Sequence, residues 1–261
     1  MPRFAANLSL LFTEVELPQR FARAAQAGFA AVEFQFPYGY PAAQLAEQAQ
    51  RNRLQIVLHN LPAGNLEQGE RGIAILPGRQ GEFQEGVGRA IEYAKALSCT
   101  RLNCLAGIEP QGANPQRLRQ TLVENLHFAA QALAKERLQL LVEPINRQDI
   151  PGFYLQRSGQ TLEVLDAVGH PNVWLQYDIY HMQITEGDLT HTIRTHLPRI
   201  AHMQLADVPG RHEPGTGEIN FPNLFRFIDE AGYQGWIGAE YKPAAGTEAG
   251  LGWLQPYLRK G

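Results

Sequence analysis

Four consecutive predicted strands in the second half of the chain end in side chains whose oxygen atoms could bind a cation. These residues are Glu143, Asp178, Gln204 and Glu240. Because the carboxyl ends of the strands of a parallel barrel surround one mouth, these side chains are expected to meet there. Three carboxylates about 4 Å apart would repel by about 4 kcal/mol per pair at an effective dielectric constant near 20. The cluster therefore needs protonation or a cation, and an all-oxygen set favours a hard divalent ion such as Mg²⁺ or Mn²⁺.

Each of these residues has a simpler interpretation when taken alone, since a carboxylate after a strand commonly caps a helix or forms an ion pair at the rim. The occurrence of four such residues at the ends of four consecutive strands favours a common functional site. Glu143 and Glu240 follow the fifth and eighth predicted strands, so they approach the centre of the mouth from different directions. Such a pair suits proton transfer between neighbouring carbons. A metal that bridges a ketone oxygen and the adjacent hydroxyl would acidify the intervening C–H bond and stabilise an enediolate.

Other polar residues end the remaining predicted strands. They are Asn7, Glu33, His59 and Asn103. The position of His59 at a strand end favours the mouth over the core. His181 follows Asp178 by three residues, which would place it beside the metal or a substrate hydroxyl, with a packed core histidine as the alternative.

Short β-rich or apolar runs alternate with amphipathic segments along the chain, as in folds with parallel strands and helical crossovers. The predicted strands are Phe4–Leu8, Ala31–Phe34, Gln55–Leu58, Arg101–Cys104, Leu138–Val142, Val173–Tyr177, Ile200–Gln204 and Trp236–Ala239. Between them, apolar residues recur every three or four positions, as in Phe83, Val87 and Ile91. The pattern predicts a single (β/α)8 TIM barrel domain over residues 1–261. A doubly wound sheet would need a Gly-rich turn after the first strand, which is absent, so no nucleotide cofactor is expected.

Composition limits the partners. The chain has 261 residues, 44% hydrophobic and 19% charged, with no apolar run near the roughly 20 residues of a membrane span. The N-terminal segment lacks a signal-type apolar core, so we expect a cytoplasmic protein that does not bind membranes. A net charge of -3 with scattered basic residues argues against nucleic acid and for a small-molecule partner. Cys99 and Cys104 are expected to be free thiols, and the sequence leaves a homo-oligomer open.

Several stretches resemble a known family. They are EPINRQDIPGF (143–153), QYDIYHMQ (176–183), HMQLADVPGRHEPGTGEIN (202–220) and GAEYKP (238–243), with LHNLPAGN (58–65) and GERGIAILPGR (69–79) in agreement. These residues resemble the hydroxypyruvate isomerases of the xylose-isomerase-like barrel superfamily over nearly the whole chain. The resemblance implies an aldose–ketose type interconversion of hydroxypyruvate and 2-hydroxy-3-oxopropanoate (tartronate semialdehyde), with Glu143 and Glu240 as the proton donor and acceptor.

The resemblance also implies ligands. Relatives that epimerise ketoses bind a metal through equivalents of Glu143, Asp178, a histidine and Glu240, and Gln204 replaces that histidine here. The replacement removes an imidazole ligand, which implies weaker metal binding. Asp149 and His181 fall where those relatives hold substrate oxygens, and Arg211 falls roughly where they have an arginine.

A hydroxy-keto acid substrate carries a carboxylate, so a cation should face the mouth. Arg211 lies in a Gly-rich loop, and its planar fork can pair with a carboxylate through two hydrogen bonds. Lys242, two residues after Glu240, and Arg71, in the long third loop, are further candidates. The alternative for each is a solvated surface charge.

Three other functions are the alternatives. A sister isomerase that acts on the longer 2-oxotetronate would have much the same sequence, although the stretch after Glu143 favours the three-carbon substrate. A DNA-repair nuclease with a multi-zinc site would need more histidine ligands and a cationic face. A non-catalytic barrel that binds sugars or metals would have the same strand-end residues and no turnover.

Overall fold

A computed structural model of the protein describes residues 1–258. Eight parallel strands close into a barrel in sequence order, β1 to β8, with β1 paired to β8. The strands are β1 (Arg3–Asn7), β2 (Ala31–Glu33), β3 (Gln55–Asn60), β4 (Arg101–Cys104), β5 (Gln139–Val142), β6 (Val173–Asp178), β7 (Ile200–Leu205) and β8 (Trp236–Ala239). The predicted (β/α)8 fold is confirmed, and each strand end lies within two residues of its predicted position.

Helices connect the strands on the outside of the barrel. They are α1 (Leu17–Gln26), α2 (Ala42–Arg51), α3 (Gln80–Leu97), α4 (Pro115–Lys135), α5 (Ser158–Val168), α6 (Ile179–Thr185), α7 (Leu189–His196) and α8 (Phe221–Glu230). The first turns of α4 and α8 show why they begin where they do. Asn114 and Asn220 each accept a hydrogen bond from the backbone N–H three residues ahead, and a proline occupies the first turn of each helix.

Two helices, α6 and α7, connect β6 and β7. The shorter helix is α6, whose N-terminus is capped by Asp178, because Oδ1 accepts a hydrogen bond of 2.9 Å from the backbone N–H of Tyr180. A seven-residue helix has too few turns to show an apolar stripe, so the pattern missed it.

A 3-10 helix over Glu248–Tyr257 completes the outer layer. Trp253 and Tyr257 pack edge-on against Phe4 of β1, with ring centroids 5.1 and 5.4 Å apart. The C-terminal segment therefore packs against the first strand. Cys99 and Cys104 are buried free thiols, as expected. None of the helices among residues 1–258 is long and apolar enough to cross a membrane.

The apolar core has two parts. The larger part fills the space between the strands and the helices, where residues such as Leu122 and Leu126 of α4 are fully buried. Burial of each such leucine contributes about 1.5–3 kcal/mol. A small second cluster, formed by Ala5, Ala31, Val57 and Trp236, lies inside the barrel.

The barrel interior becomes polar toward the carboxyl ends of the strands. Glu33 of β2 is fully buried there, and its carboxylate lies against Gly238 of β8. A Cβ atom at Gly238 would overlap the carboxylate of Glu33. The glycine therefore makes room for a charged group inside the barrel wall.

Candidate active site

A cavity of about 620 Å³ lies at the carboxyl ends of the strands. Seven of the residues singled out in the sequence line it: Arg71, Glu143, Asp149, His181, Arg211, Glu240 and Lys242. Asp178 is fully buried beneath them. The expected convergence of acidic and basic side chains on one mouth is thus present.

Glu143 follows β5 directly, and its carboxylate is held by two amides. Oε2 accepts hydrogen bonds from Nδ2 of Asn103 at 2.9 Å and from Nε2 of Gln176 at 3.0 Å. Both donors lie on the neighbouring strands β4 and β6. Since the other oxygen has no amide partner among residues 1–258, Oε1 is free to act on a molecule in the cavity.

Glu240 follows β8 and is held from three sides. Oε1 accepts hydrogen bonds from Asn7 at 3.2 Å and from Gln35 at 2.8 Å, and Oε2 pairs with a guanidinium nitrogen of Arg211 at 2.6 Å. Both glutamates are nearly inaccessible to solvent, with 5% of Glu143 and 4% of Glu240 exposed. They differ in charge compensation, because Glu240 has an arginine partner and Glu143 has only neutral donors.

Burial raises the pKa values of Glu143, Asp178 and Glu240. The pKa of Glu143 is raised well above its usual value by burial, then by the charges of Glu240 and Asp178. Burial, then Glu240, raises the pKa of Asp178 to about 7. The pKa of Glu240 is also raised by burial, while Arg211 opposes the shift. Carboxyl groups that titrate nearer neutrality can both take and give protons at physiological pH.

Arg211 supplies the positive charge in this cluster. Its guanidinium nitrogens lie 3.2 Å from Asp149 and 3.9 Å from Asp178, in addition to the contact with Glu240. The group also lies over the ring of Tyr180, 5.1 Å from the centroid. The sequence predicted that Arg211 faces a substrate carboxylate. In the structure the guanidinium pairs with the protein's own acids while still lining the cavity.

Asp178 and His181 form a buried group with Glu143 that could hold a metal. One ligand atom of each residue lies within 4.8 Å of the others. Oδ2 of Asp178 is buried and has no hydrogen-bond partner among residues 1–258. A buried carboxylate oxygen without a partner, beside a second carboxylate, fits the donor set of a hard divalent ion. Burial, then the charge of Arg211, holds the pKa of His181 well below its usual value, so the ring is neutral.

Gln204 is not placed as a simple metal ligand, because both ends of its side-chain amide form hydrogen bonds within the protein. Its Oε1 accepts a hydrogen bond of 2.7 Å from Gln176, and its Nε2 donates one of 2.7 Å to Glu33. Because the amide oxygen is already engaged, direct ligation would require Gln204 to share or lose the contact with Gln176. In the structure Gln204 links the buried carboxylate of Glu33 to the side chain that holds Glu143.

Glu33 is the acceptor at the centre of this buried network. Besides Gln204, it accepts hydrogen bonds from Asn7 at 2.9 Å and contacts Nε2 of His202 at 2.6 Å. Asn7 also donates to Glu240. The sequence placed Glu33 and Asn7 at strand ends without a role. The structure shows that His202 is buried and structural.

His59 does not lie among the residues, within 1–258, that line the cavity; its neighbour Asn60 does. Its Nδ1 lies 3.2 Å from the carbonyl oxygen of Asn60, and its ring packs against Phe34 and Tyr38. Burial lowers the pKa of His59 to about 4. The expectation that His59 faces the mouth is corrected, since an extra residue in β3 relative to β2 shifts the register before His59.

Arg71 and Lys242 lie on the cavity wall, as expected for cations that meet a substrate. Arg71 donates to the carbonyl oxygens of Leu66 and Glu70, at 3.1 and 2.7 Å. Lys242 is exposed, and within residues 1–258 its ammonium group forms no hydrogen bond or ion pair. Lys242 is therefore the more available of the two charges.

Residues 21–257 match a family model described as "Xylose isomerase-like TIM barrel". The chain is 52% identical over 257 residues to "Hydroxypyruvate isomerase" of Escherichia coli (strain K12), covering 98% of this chain and 100% of the relative. It is 48% identical over 258 residues to "2-oxo-tetronate isomerase" of Cupriavidus necator, covering 99% of both chains. These similarities confirm the resemblance noted in the sequence.

Solved structures agree with the fold. A structure titled "Crystal structure of AP endonuclease, family 2 from Brucella melitensis" superposes with a TM-score of 0.97 at 43% identity, covering 99% of this chain and 100% of that one. A structure titled "Structure of L-ribulose 3-epimerase" superposes with a TM-score of 0.77 at 20% identity, covering 100% of this chain and 88% of that one. The latter shows the shared fold alone. The chain belongs to the xylose isomerase-like TIM barrel family, as an isomerase.

Proposed function

We propose that this enzyme interconverts hydroxypyruvate and 2-hydroxy-3-oxopropanoate. The observation that carries the proposal is the pair of buried glutamates, Glu143 and Glu240, which reach one cavity from β5 and β8. Each has a raised pKa, as a group needs if it is to accept and release a proton near neutral pH. The similarity to the E. coli hydroxypyruvate isomerase supports the same reaction.

The reaction moves hydrogen and changes no overall formula. One glutamate takes a proton from C3, the hydroxymethyl carbon of hydroxypyruvate, which leaves an enediolate across C2 and C3. The other glutamate returns a proton to C2, and the hydroxyl proton passes from the C3 oxygen to the C2 oxygen. The product is an aldehyde at C3 and a secondary alcohol at C2, so no external oxidant or reductant is required.

The residues around the pair have separate tasks in this proposal. Arg211 stabilises the ionised form of Glu240 and limits repulsion among the three buried acids. Lys242 and Arg71, with Arg211, provide the positive charge that a substrate carboxylate needs on the cavity wall. Asp149 and His181 contact substrate oxygens.

A divalent ion fits the acidic cluster. We propose that Glu143, Asp178 and Glu240 would hold Mg²⁺ or Mn²⁺, which would supply charge stabilisation to the two oxygens of the enediolate. Gln204 would join them only by giving up its contact with Gln176. Prolonged chelation should abolish turnover, and readdition of Mg²⁺ or Mn²⁺ should restore it. Full retention of activity in the chelated protein would reduce Asp178 to a polar contact.

The longer 2-oxotetronate is the second candidate substrate, supported by the 48% identity to the Cupriavidus necator isomerase. The two substrates differ by one hydroxymethyl group, and a cavity of about 620 Å³ can admit both. We expect a higher kcat/KM on hydroxypyruvate. Initial rates on both compounds, with the same enzyme preparation, decide the point, and a higher value on 2-oxotetronate would overturn the preference.

The decisive test of catalysis is a coupled assay of the purified protein with hydroxypyruvate. Enzymatic formation of 2-hydroxy-3-oxopropanoate supports the proposal. Binding of the substrate without any product would instead identify a non-catalytic barrel.

A further inference from the structure

The buried side chain of His181 has one hydrogen-bonding partner outside the acidic cluster. Nδ1 of His181 lies 2.7 Å from Nδ2 of Asn146. Asn146 belongs to the loop between β5 and α5, three residues after Glu143, and is fully buried. The side of His181 that faces away from the cluster is therefore controlled by a neutral amide.

The orientation of that amide is fixed by the loop backbone. Oδ1 of Asn146 accepts hydrogen bonds from the backbone N–H groups of Gln148 at 2.9 Å and Asp149 at 2.8 Å. Those two donors can pair only with an oxygen. The NH₂ group of Asn146 must then point toward His181, and exchanging the two ends of the amide would cost both backbone hydrogen bonds.

Because the Asn146 amide donates to Nδ1 of His181, it determines which nitrogen of the neutral ring carries the proton. Nδ1 must present its lone pair to the amide, so the proton is carried by Nε2. Nε2 lies 3.5 Å from Oδ2 of Asp178 and 4.0 Å from Oε1 of Glu143. The N–H bond therefore belongs to the side of the ring that faces the acidic cluster and the cavity.

We propose that Asn146 is a positioning residue that fixes His181 in the Nε2–H tautomer, so that His181 offers the cavity a hydrogen-bond donor and not a metal-binding lone pair. The fixed tautomer follows from protein contacts alone, whereas its use on substrate rests on the proposed function. A neutral donor that is already oriented can stabilise charge developing on a substrate oxygen without first reorganising. An ion in the cluster would bind to the carboxylates and leave His181 unligated.

The first test is the tautomer itself in the full-length protein. Long-range ¹H–¹⁵N correlation spectra of histidine-labelled protein distinguish Nε2–H from Nδ1–H, and a His181→Gln variant assigns the signals. We expect the Nε2–H pattern, unchanged when Mg²⁺ is added. A proton on Nδ1, or loss of the Nε2 proton on addition of Mg²⁺, would overturn the proposal.

The substitution Asn146→Asp reverses the direction of the hydrogen bond to Nδ1 of His181 and changes the shape of the side chain very little. One carboxylate oxygen can still accept from Gln148 and Asp149, so the turn is retained, while the other now accepts a proton from Nδ1 of His181. We expect a proton on Nδ1 in this variant. Asn60→Asp is the matched control, because Asn60 lines the same cavity and the change adds the same charge. The tautomer of His181 should stay the same in the control.

The two variants give clear outcomes. If Asn146→Asp leaves the proton pattern of His181 unchanged, or if Asn60→Asp moves it equally, the contact with Asn146 does not set the tautomer. Turnover should fall about 10- to 100-fold in Asn146→Asp, the usual effect of changing a partner that orients a site residue. Absence of turnover in the unmodified enzyme would refute the proposed function while the spectra still decide this inference.

Discussion

The barrel has two cavities of nearly equal size at its opposite ends. The lower one, at the amino ends of the strands, measures about 630 Å³, and the upper one, at the carboxyl ends, measures about 620 Å³. Residues such as Phe4, Phe29 and Trp236 line the lower cavity, and Arg3 covers the Trp236 ring at 3.9 Å. The upper cavity is surrounded by acids and bases.

The difference lies in what is buried around each space. Small and apolar side chains, among them Ala5 and Ala31, fill the interior near the lower end. Near the upper end, Glu143, Asp178 and Glu240 are buried together and have raised pKa values. Two spaces of nearly equal volume thus differ in chemistry, and the buried acids with raised pKa values support the proposal that the upper one is the active site.

The largest expected effect is at the two glutamates. Glu143→Gln and Glu240→Gln keep the shape of each side chain and remove its ability to exchange a proton. Each should lower kcat by at least about 100-fold, the lower range for a general acid or base. Steady-state kinetics on hydroxypyruvate measure the effect. Near-normal turnover in either variant would remove that residue from the mechanism.

Arg211→Gln should have the next largest effect. Loss of a hydrogen bond between charged groups costs about 1.5–3 kcal/mol, which corresponds to about 10- to 100-fold in kcat/KM. Arg211 lowers the pKa values of Glu143, Asp178 and Glu240, so its removal raises them. The acid limb of the pH–rate profile should therefore move to higher pH.

Arg23→Gln is the control for that variant, because Arg23 forms an exposed ion pair with Glu248 on the outside of the barrel. Its pH–rate profile should coincide with that of the unmodified enzyme. An unshifted profile in Arg211→Gln would mean that the guanidinium does not tune the buried acids.

The substitution Asp178→Asn tests how much the buried charge of Asp178 destabilises the folded protein. The pKa of Asp178 is raised to about 7, so the folded protein holds this proton more tightly than the unfolded chain. Stability should then fall as pH rises from about 4 to 7, and the full cost is present at pH 8. Asp178→Asn should therefore raise the Tm at pH 8, by about 2–4 °C for each kcal/mol of that cost in a chain of this size.

The measurement is thermal unfolding in the presence of a chelator, at pH 8 and at pH 4, where the gain should vanish. Asp166→Asn removes an exposed carboxylate that pairs with Arg199 and serves as the matched control, with little change expected. A lower Tm for Asp178→Asn at pH 8 would contradict the assigned cost.

The smallest effect is expected at the lower cavity. Arg3→Gln removes the cation that covers Trp236, a contact worth about 0.5–1 kcal/mol when exposed. It should change kcat/KM by less than about twofold. A tenfold loss would show that the two ends of the barrel are functionally connected.

The strands were predictable because their apolar runs recur with regular spacing and turn-forming residues separate them. For the same reason the sequence placed Glu143 and Glu240 at one mouth, since both follow a strand directly. The short helix α6 was not predictable, because seven residues carry no periodic signal. Its N-cap is Asp178, a residue to which the sequence assigned a different task.

Side-chain contacts between strands were harder to predict than the positions of residues along a strand. Gln176 precedes Asp178 by two residues and so faces the same side of β6, a signal that could have identified it. Asn146 gave no signal, because its role depends on where the β5–α5 loop places it against His181. The prediction for His59 was wrong since the register shift between β2 and β3 exchanges the residues that face inward.

Gly238 is a position at which this barrel cannot accept a larger residue without disturbing its polar interior. Any larger residue there would push the Glu33 carboxylate aside, and with it the amides of Asn7 and Gln204 that lead toward the two glutamates. A position with no side chain, on β8 two residues before Glu240, is thus tied to the geometry of both glutamates. A side chain at Gly238 would therefore disturb the site without adding or removing a group that could react.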